Sequence, residues 1–336
     1  MVTLLVYTSS ALAQSSRHRE FRNPVIDADF PDPTVIRAHD GYFYAYATES
    51  IVNGMRQHVQ VARSSDLVSW QRLPDALPTP PTWADPSSPD TWVPDVIEAD
   101  GKYFLYYAAE PIKRTGKCLA VATSDRPEGP FRDVGKPLKC GEGFVNIDPM
   151  AFDDPKTGKH LLYWGSGFQP IKVQELSRSR LEFASQSEPI DLVWPIKNND
   201  PTNYQLLVEG AWVVYRNGYY YLFFSGDNCC GDKAHYAVMV ARSKRAEGPF
   251  ETFGDAAKRK NSVILEMGAD WVAPGHNSVI RDDNGRDWIV YHAIPARGRD
   301  RRAMLISPLT YRRGWVYVTP STPTSESQTA PFVRGK

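Results

Sequence analysis

The sequence predicts an all-β fold, a five-bladed β-propeller, and three observations lead to it. Five short turns, Asp40-Gly41, Asp100-Gly101, Thr157-Gly158, Asn217-Gly218 and Asn284-Gly285, each introduce an aromatic, alternating run such as Tyr42-Phe-Tyr-Ala-Tyr-Ala-Thr. Turn residues of this kind tolerate left-handed backbone and join antiparallel strands. The five glycines are spaced by 60, 57, 60 and 67 residues, the period of a repeated multi-hairpin sheet. No amphipathic segment of helical period stands between the strands, so βαβ architectures are poorly supported.

Each unit reads strand, turn, strand, loop, strand. In the first, Thr34-Val-Ile-Arg-Ala-His leads into the Asp40-Gly41 turn, the aromatic run follows, and His58-Val-Gln-Val-Ala-Arg alternates again before Ser64 to Trp70 closes the unit. The second and fourth units end alike, in Glu-Gly-Pro-Phe at Glu128 to Phe131 and Glu247 to Phe250. No linker interrupts the repeats, so residues 20–318 are expected to form one domain. Residues 319–336, rich in Pro, Ser and Thr, are expected to be disordered.

Composition narrows the partners. Lys plus Arg equals Asp plus Glu at 39 each, leaving no basic surplus for a phosphate backbone, so nucleic acid is not an expected partner. The 40 aromatic residues suit stacking against the C–H faces of sugar rings. The apolar stretch Met1 to Ala13 ends in a small-x-small site at Ala11 and Ala13 and reads as a signal peptide over residues 1–13, although it lacks a positive n-region. The expectation is a secreted or periplasmic monomer that is not embedded in a membrane. Of the four cysteines, Cys118 and Cys140 fall within one repeat, whereas Cys229 and Cys230 are adjacent and either bridge each other or pair elsewhere. No second CxxC or HxxxH spacing supports zinc.

Counting back from the turn glycine, Asp32, Glu209 and His276 each lie nine residues before it and Asp148 lies ten, whereas Asp95 lies six before. Equivalent repeats place equivalent positions around one axis. Acids facing one another there suit acetal cleavage, in which one group protonates the departing oxygen and another deprotonates the attacking water. A third carboxylate beside the acid would disfavour its ionisation and keep it protonated. An Asp before Pro is ordinarily a turn residue, but Asp32 and Asp148 also occupy the repeat position, and Glu209 lies in an apolar run.

The motifs Phe30-Pro-Asp-Pro, Trp92-Val-Pro-Asp-Val, Asn146-Ile-Asp-Pro, Val208-Glu-Gly-Ala-Trp and Pro274-Gly-His-Asn-Ser, in this order, resemble those of glycoside hydrolase family 43 over essentially the whole chain after the leader. The resemblance implies an inverting hydrolase on a five-bladed propeller that needs no cofactor for its chemistry. Asp32 would be the general base, Glu209 the general acid, and Asp148 the residue that orients the acid and sets its pKa. It further implies that Arg302 reaches toward the sugar and that His276 faces a structural calcium or sodium ion in the channel. Trp92 is expected to stack on substrate. Asp95, out of step with the other acids, is expected to bind a substrate hydroxyl or buttress its blade. Phe223 to Gly231, Tyr163 to Gly167 and Ile171 to Leu176 resemble the arabinan-cleaving branch. The expected substrates are therefore arabinose- or xylose-containing oligo- and polysaccharides, cleaved as an endo-1,5-α-L-arabinosidase or α-L-arabinofuranosidase. Gln169-Pro170, where endo-acting members carry an aromatic, departs from that branch. A β-xylosidase or exo-galactosidase is the alternative within the family, and a non-catalytic carbohydrate-binding propeller the alternative outside it.

Overall fold

The computed structural model describes residues 19–87, 90–198 and 200–334. The leader expected over residues 1–13 lies outside them. Five antiparallel sheets follow one another along the chain, each beginning with its innermost strand: Thr34–Arg37, Trp92–Ala99, Met150–Asp153, Val208–Arg216 and Trp271–Arg281. We call the sheets blades 1 to 5. The innermost strands of successive blades lie side by side, and that of blade 5 returns to that of blade 1, so the ring closes as expected of a propeller. One five-residue helix, Phe253–Ala257, is present among the described residues.

The alternation in the aromatic runs acquires a physical meaning in this ring. Strand Phe43–Ala47 is buried at every residue, because both faces of its sheet are covered by neighbouring blades. Tyr44 and Tyr46 pack with Tyr103, Leu105 and Tyr107 of blade 2. Phe43, Ala45 and Ala47 face the other way, toward Trp288 and Val290 of blade 5. Side chains of a strand point to opposite faces in turn, so a large/small alternation wedges each sheet between two others. Phe104 and Tyr106 of blade 2 repeat the arrangement against Leu162 and Trp164 of blade 3. Two of the five turns are two-residue hairpin turns of right-handed twist, with Asp100 and Gly101 at φ of 52° and 72° and Asn217 and Gly218 at 52° and 78°, whereas at Gly41, Gly158 and Gly285 the glycine alone of the two is left-handed. Cys118 and Cys140, opposite one another on paired strands of blade 2, form a disulfide.

The tail expected to be disordered is folded. Gln328–Thr329 pairs antiparallel with Glu20–Phe21, and the Ala330 N–H donates to the Arg19 carbonyl. Asp283 N–H donates to the Phe332 carbonyl, and Trp271 Nε1–H donates to Ser325 Oγ. Composition missed this segment because what orders it is backbone pairing with a strand from the far end of the chain, and that requires no apolar run. The N-terminal stretch itself bridges blades 5 and 1. Phe21, Ile26 and Phe30 fill the core between them. Buried Asn23 brackets Ile306, its Nδ2–H donating to the Ile306 carbonyl at 2.9 Å and its Oδ1 accepting from the Ile306 N–H at 3.0 Å.

Replacing Asn23 by Ala leaves both Ile306 groups buried and unpaired, so Asn23→Ala is expected to lose roughly 2 kcal/mol of stability, read as a lower urea midpoint at unchanged slope.

Candidate active site

The inner strand of every blade is bent where it reaches the central cavity. Left-handed residues stand at this end of every blade: Asp32 (φ 56°) and Asp148 (61°), each two residues before its strand begins, Val93 (52°), Gly210 (62°), and both Ala273 (49°) and His276 (47°) in blade 5. Ladder register breaks there in blades 2, 4 and 5, between Trp92 and Asp95, between Glu209 and Trp212, and on both sides of Gly275. Holding a non-glycine residue at such angles costs on the order of 1–3 kcal/mol and is tolerated where surroundings over-determine it. Here the bends deliver Asp32, Asp148, Glu209 and His276 to one cavity of about 570 Å³, to which all five blades contribute.

Asp32 is buried and richly partnered. Thr48 Oγ1–H donates to its Oδ2 at 2.7 Å, and Arg302 Nη1 lies 3.1 Å from Oδ1 and 3.3 Å from Oδ2. His292 Nδ1 accepts from the Asp32 N–H at 3.1 Å, and His276 Nδ1 is 3.6 Å from Oδ1. Burial alone would raise this carboxyl, but the Arg302 guanidinium and the surrounding donors outweigh it and hold it well below the usual carboxylate range. Burial pushes His276 down to about 4, so at neutral pH that ring is uncharged and Arg302 supplies the charge that keeps Asp32 ionised.

Asp148 and Glu209 run the opposite way. Asp148 Oδ2 accepts from the Gly210 N–H at 2.8 Å and lies 3.8 Å from His276 Nδ1, while its Oδ1 is buried without a hydrogen-bond partner. Burial first, then the charges of Glu209 and Asp32, push Asp148 well above the usual range. Burial also raises Glu209, and the charge of Asp32 adds to the rise, against the Ser166 and Tyr236 hydroxyls. Those hydroxyls donate to Glu209 Oε2 at 2.5 Å and Oε1 at 2.8 Å. The two carboxyls are joined through the Glu209–Gly210 backbone and are both pushed toward their protonated forms, so they titrate as a pair. Tyr236 is locked in turn by Gly275, where an added Cβ would fall 2.1 Å from the tyrosine ring.

The profile of the Glycosyl hydrolases family 43 matches residues 21–316. The chain belongs to that family. It is similar to an extracellular endo-α-(1→5)-L-arabinanase of Bacillus subtilis, 29% identical over 84% of this chain and 86% of the relative. An extracellular exo-α-(1→5)-L-arabinofuranosidase of Cellvibrio japonicus is 26% identical over 86% of each chain. The solved structure of a thermostable family-43 glycoside hydrolase superposes with a TM-score of 0.76 at 26% identity, covering 94% of this chain and all of the other. The protein is therefore a glycoside hydrolase on a five-bladed propeller.

Within this family 43 fold the remaining expected site residues divide. Arg302 lines the cavity through its pairing with Asp32. Trp92 also lines it, and part of its ring is already occupied: Lys117 Nζ sits 3.8 Å from the ring centroid, held by Asp90 and Glu110 at 3.3 and 3.6 Å. Asp95 does not reach the cavity, which corrects its placement as a substrate ligand. Val93 takes the bend in blade 2, so Asp95 lies two residues further along the regular strand, where its Oδ2 accepts from the Ala151 N–H of blade 3 at 2.7 Å. For the cation expected at His276, no group of three or more His, Cys, Asp or Glu side chains among the described residues is arranged to hold a metal. The residues present do not form a protein-built cage for a hard cation, which takes six to eight oxygens when it is calcium.

Sequence reading missed Thr48, Ser166, Tyr236 and His292. His292 left a trace as a polar residue in the apolar run Trp288-Ile-Val-Tyr-His-Ala, and Ser166 sits in Gly165-Ser-Gly at the end of a middle strand. Thr48 and Tyr236 left none, since both continue ordinary strand patterns.

Asp95 provides a test of the blade-bracing role. Burial raises its carboxyl to about 7, so its contribution to stability is complete below about pH 4 and is lost as pH rises toward 7. Asp95→Asn, which keeps the acceptor for Ala151, is expected to gain stability relative to wild type across that window, read from urea midpoints at pH 4 and pH 7. Hydrolysis per folded molecule should be little changed.

Proposed function

We propose that this protein hydrolyses α-L-arabinofuranosyl linkages of plant cell-wall polysaccharide with inversion at the anomeric carbon. Asp32 acts as the general base and Glu209 as the general acid. The observation that carries the reading is the opposed electrostatics of one cavity: Asp32, held in its charged form by Arg302, shares it with Asp148 and Glu209, both pushed toward their protonated forms. Asp32 takes a proton from water, whose oxygen bonds to the anomeric carbon as the glycosidic C–O bond breaks. The departing oxygen receives the proton of Glu209. Asp148 orients Glu209 through the Gly210 N–H and keeps the shared proton available. The Ser166 hydroxyl can rotate, accepting from protonated Glu209 before transfer and donating to the carboxylate afterwards.

The arabinan assignment draws on relatives named for endo- and exo-acting α-(1→5)-L-arabinan cleavage. The same relatives are named extracellular, which together with the leader motif supports export. A channel cation, held by His276 and water, would have a structural place and takes no part in the proton transfers.

Asp32→Ala and Glu209→Ala are each expected to lower turnover of linear arabinan by ~10²–10⁴-fold with the fold retained, measured as reducing-sugar release. The first product seen by proton NMR should carry the inverted anomeric configuration, and a retained first product would contradict the assignment of roles. The pH profile separates the two groups further. Activity falls as pH drops through the base's pKa and as it rises through the acid's. Arg302→Met removes the charge that depresses Asp32, so the acidic limb should move to higher pH. Tyr236→Phe removes a donor that favours charged Glu209, so the basic limb should also move to higher pH. With the roles reversed, Arg302→Met would instead move the basic limb and Tyr236→Phe the acidic one.

A further inference from the structure

Cys229 and Cys230 form a disulfide between adjacent residues at the head of the hairpin joining Tyr219–Asn228 to His235–Ser243 in blade 4. Both line the same cavity as Asp32, Asp148 and Glu209. Stabilisation of the fold does not account for the bond. A cross-link restrains the unfolded chain in proportion to the logarithm of the loop it closes, and here the sequence separation is 1, against 22 for Cys118–Cys140.

The position of the pair is firmly set. Cys229 packs against a small cluster of Ala234, Tyr236, Val272, Ala273 and Ile294. Asn228 Nδ2–H donates to the Lys233 carbonyl at 3.0 Å across the turn, and Arg299 Nη1–H donates to the Asp232 carbonyl at 2.7 Å. The hairpin that carries the disulfide also carries Tyr236, which donates to Glu209, and Ser225, which accepts from the His276 N–H at 2.9 Å. Its head is thus tied through one rigid pair of strands to the carboxylate that faces the scissile bond. Once oxidised, the two cysteines have no thiol proton to donate. They present two sulfurs and two methylenes, a polarisable apolar surface suited to dispersion contact.

We propose that the Cys229–Cys230 disulfide is a substrate platform, an apolar patch on the cleft wall against which a C–H face of the bound sugar packs, and that it contributes to affinity and sugar selection. The proposal rests on the glycosidase reading for its ligand class, a furanosyl or pyranosyl oligosaccharide. Its test is built on binding so that the two can fail separately.

Binding of a linear α-1,5-linked arabino-oligosaccharide is measured by calorimetry on full-length Glu209→Gln protein, with and without the further change Cys229→Ala/Cys230→Ala. The expected result is a Kd about tenfold weaker without the disulfide, equivalent to ~1.4 kcal/mol. In the active background KM should rise by a similar factor, with kcat changed less than about twofold. Cys118→Ala/Cys140→Ala, at a disulfide outside the cavity, should change thermal stability and leave Kd alone. If the double variant fails to fold, Cys230→Ser alone, which leaves Cys229 on its cluster, should show the same loss. An unchanged Kd overturns the proposal, as does a fall in kcat at constant KM. So does mass spectrometry of alkylated, unreduced protein that finds Cys229 and Cys230 as free thiols. If the intact protein binds sugar and loses affinity with the disulfide yet cleaves no glycoside, the platform stands and the glycosidase reading falls. If the Glu209→Gln protein with the disulfide intact binds no arabino-, xylo- or galactofuranosyl oligosaccharide, the platform falls.

Discussion

A left-handed residue at the cavity end of each inner strand is the constraint on which the rest of the site depends. A regular strand directs successive side chains to opposite faces of its sheet, and in a propeller both faces are filled by neighbouring blades. A carboxylate placed by an unbroken strand would therefore be driven into a blade interface, where an unpaired charge is costly. The bends at Asp32, Asp148 and His276, and at Gly210 beside Glu209, take these groups out of the two-residue rhythm. The unfavourable backbone angles are offset by the hydrogen bonds they make available: the Asp32 N–H reaches His292, the Gly210 N–H reaches Asp148, and the His276 N–H reaches Ser225. Asp95 illustrates the contrary case, an acid on regular strand that ends as a brace between blades.

Once gathered, the groups are sorted by their partners. Desolvation raises all three carboxyls, and only at Asp32, which Arg302 contacts directly, is the effect reversed. The result is one carboxyl held in its charged form beside two pushed toward their neutral forms within one hollow, obtained with ordinary aspartate and glutamate side chains. Tyr236 and Ser166 oppose the rise at Glu209 by favouring its charged form. The cavity is thus an electrical gradient before any sugar enters it.

Much of this was legible in the sequence because turn chemistry and strand periodicity are local. The Gly-containing turns and the large/small alternation mark the blades directly, and offsets of nine or ten residues from the turn glycine pick out Asp32, Asp148, Glu209 and His276. What escaped detection depends on contacts between distant parts of the chain. Gln328–Thr329 is ordered by a strand some three hundred residues earlier, and no composition rule registers that pairing. The offset rule failed for Asp95 because the bend in blade 2 falls on Val93, and a hydrophobic residue at the special angle carries no polar signal. His292 and Tyr236 act from middle strands, whose residues read as packing until the neighbouring blade is in place.

The clasp between Glu20–Phe21 and Gln328–Thr329 lays the two ends of the folded chain edge to edge. Topologically the polypeptide is then almost a circle, and its natural opening is only one of several available. A short glycine-serine tether across the clasp would permit new ends at an exposed hairpin such as Asn217-Gly218 without disturbing any blade. The order in which blades leave the ribosome would change, while the ring they close would be the same.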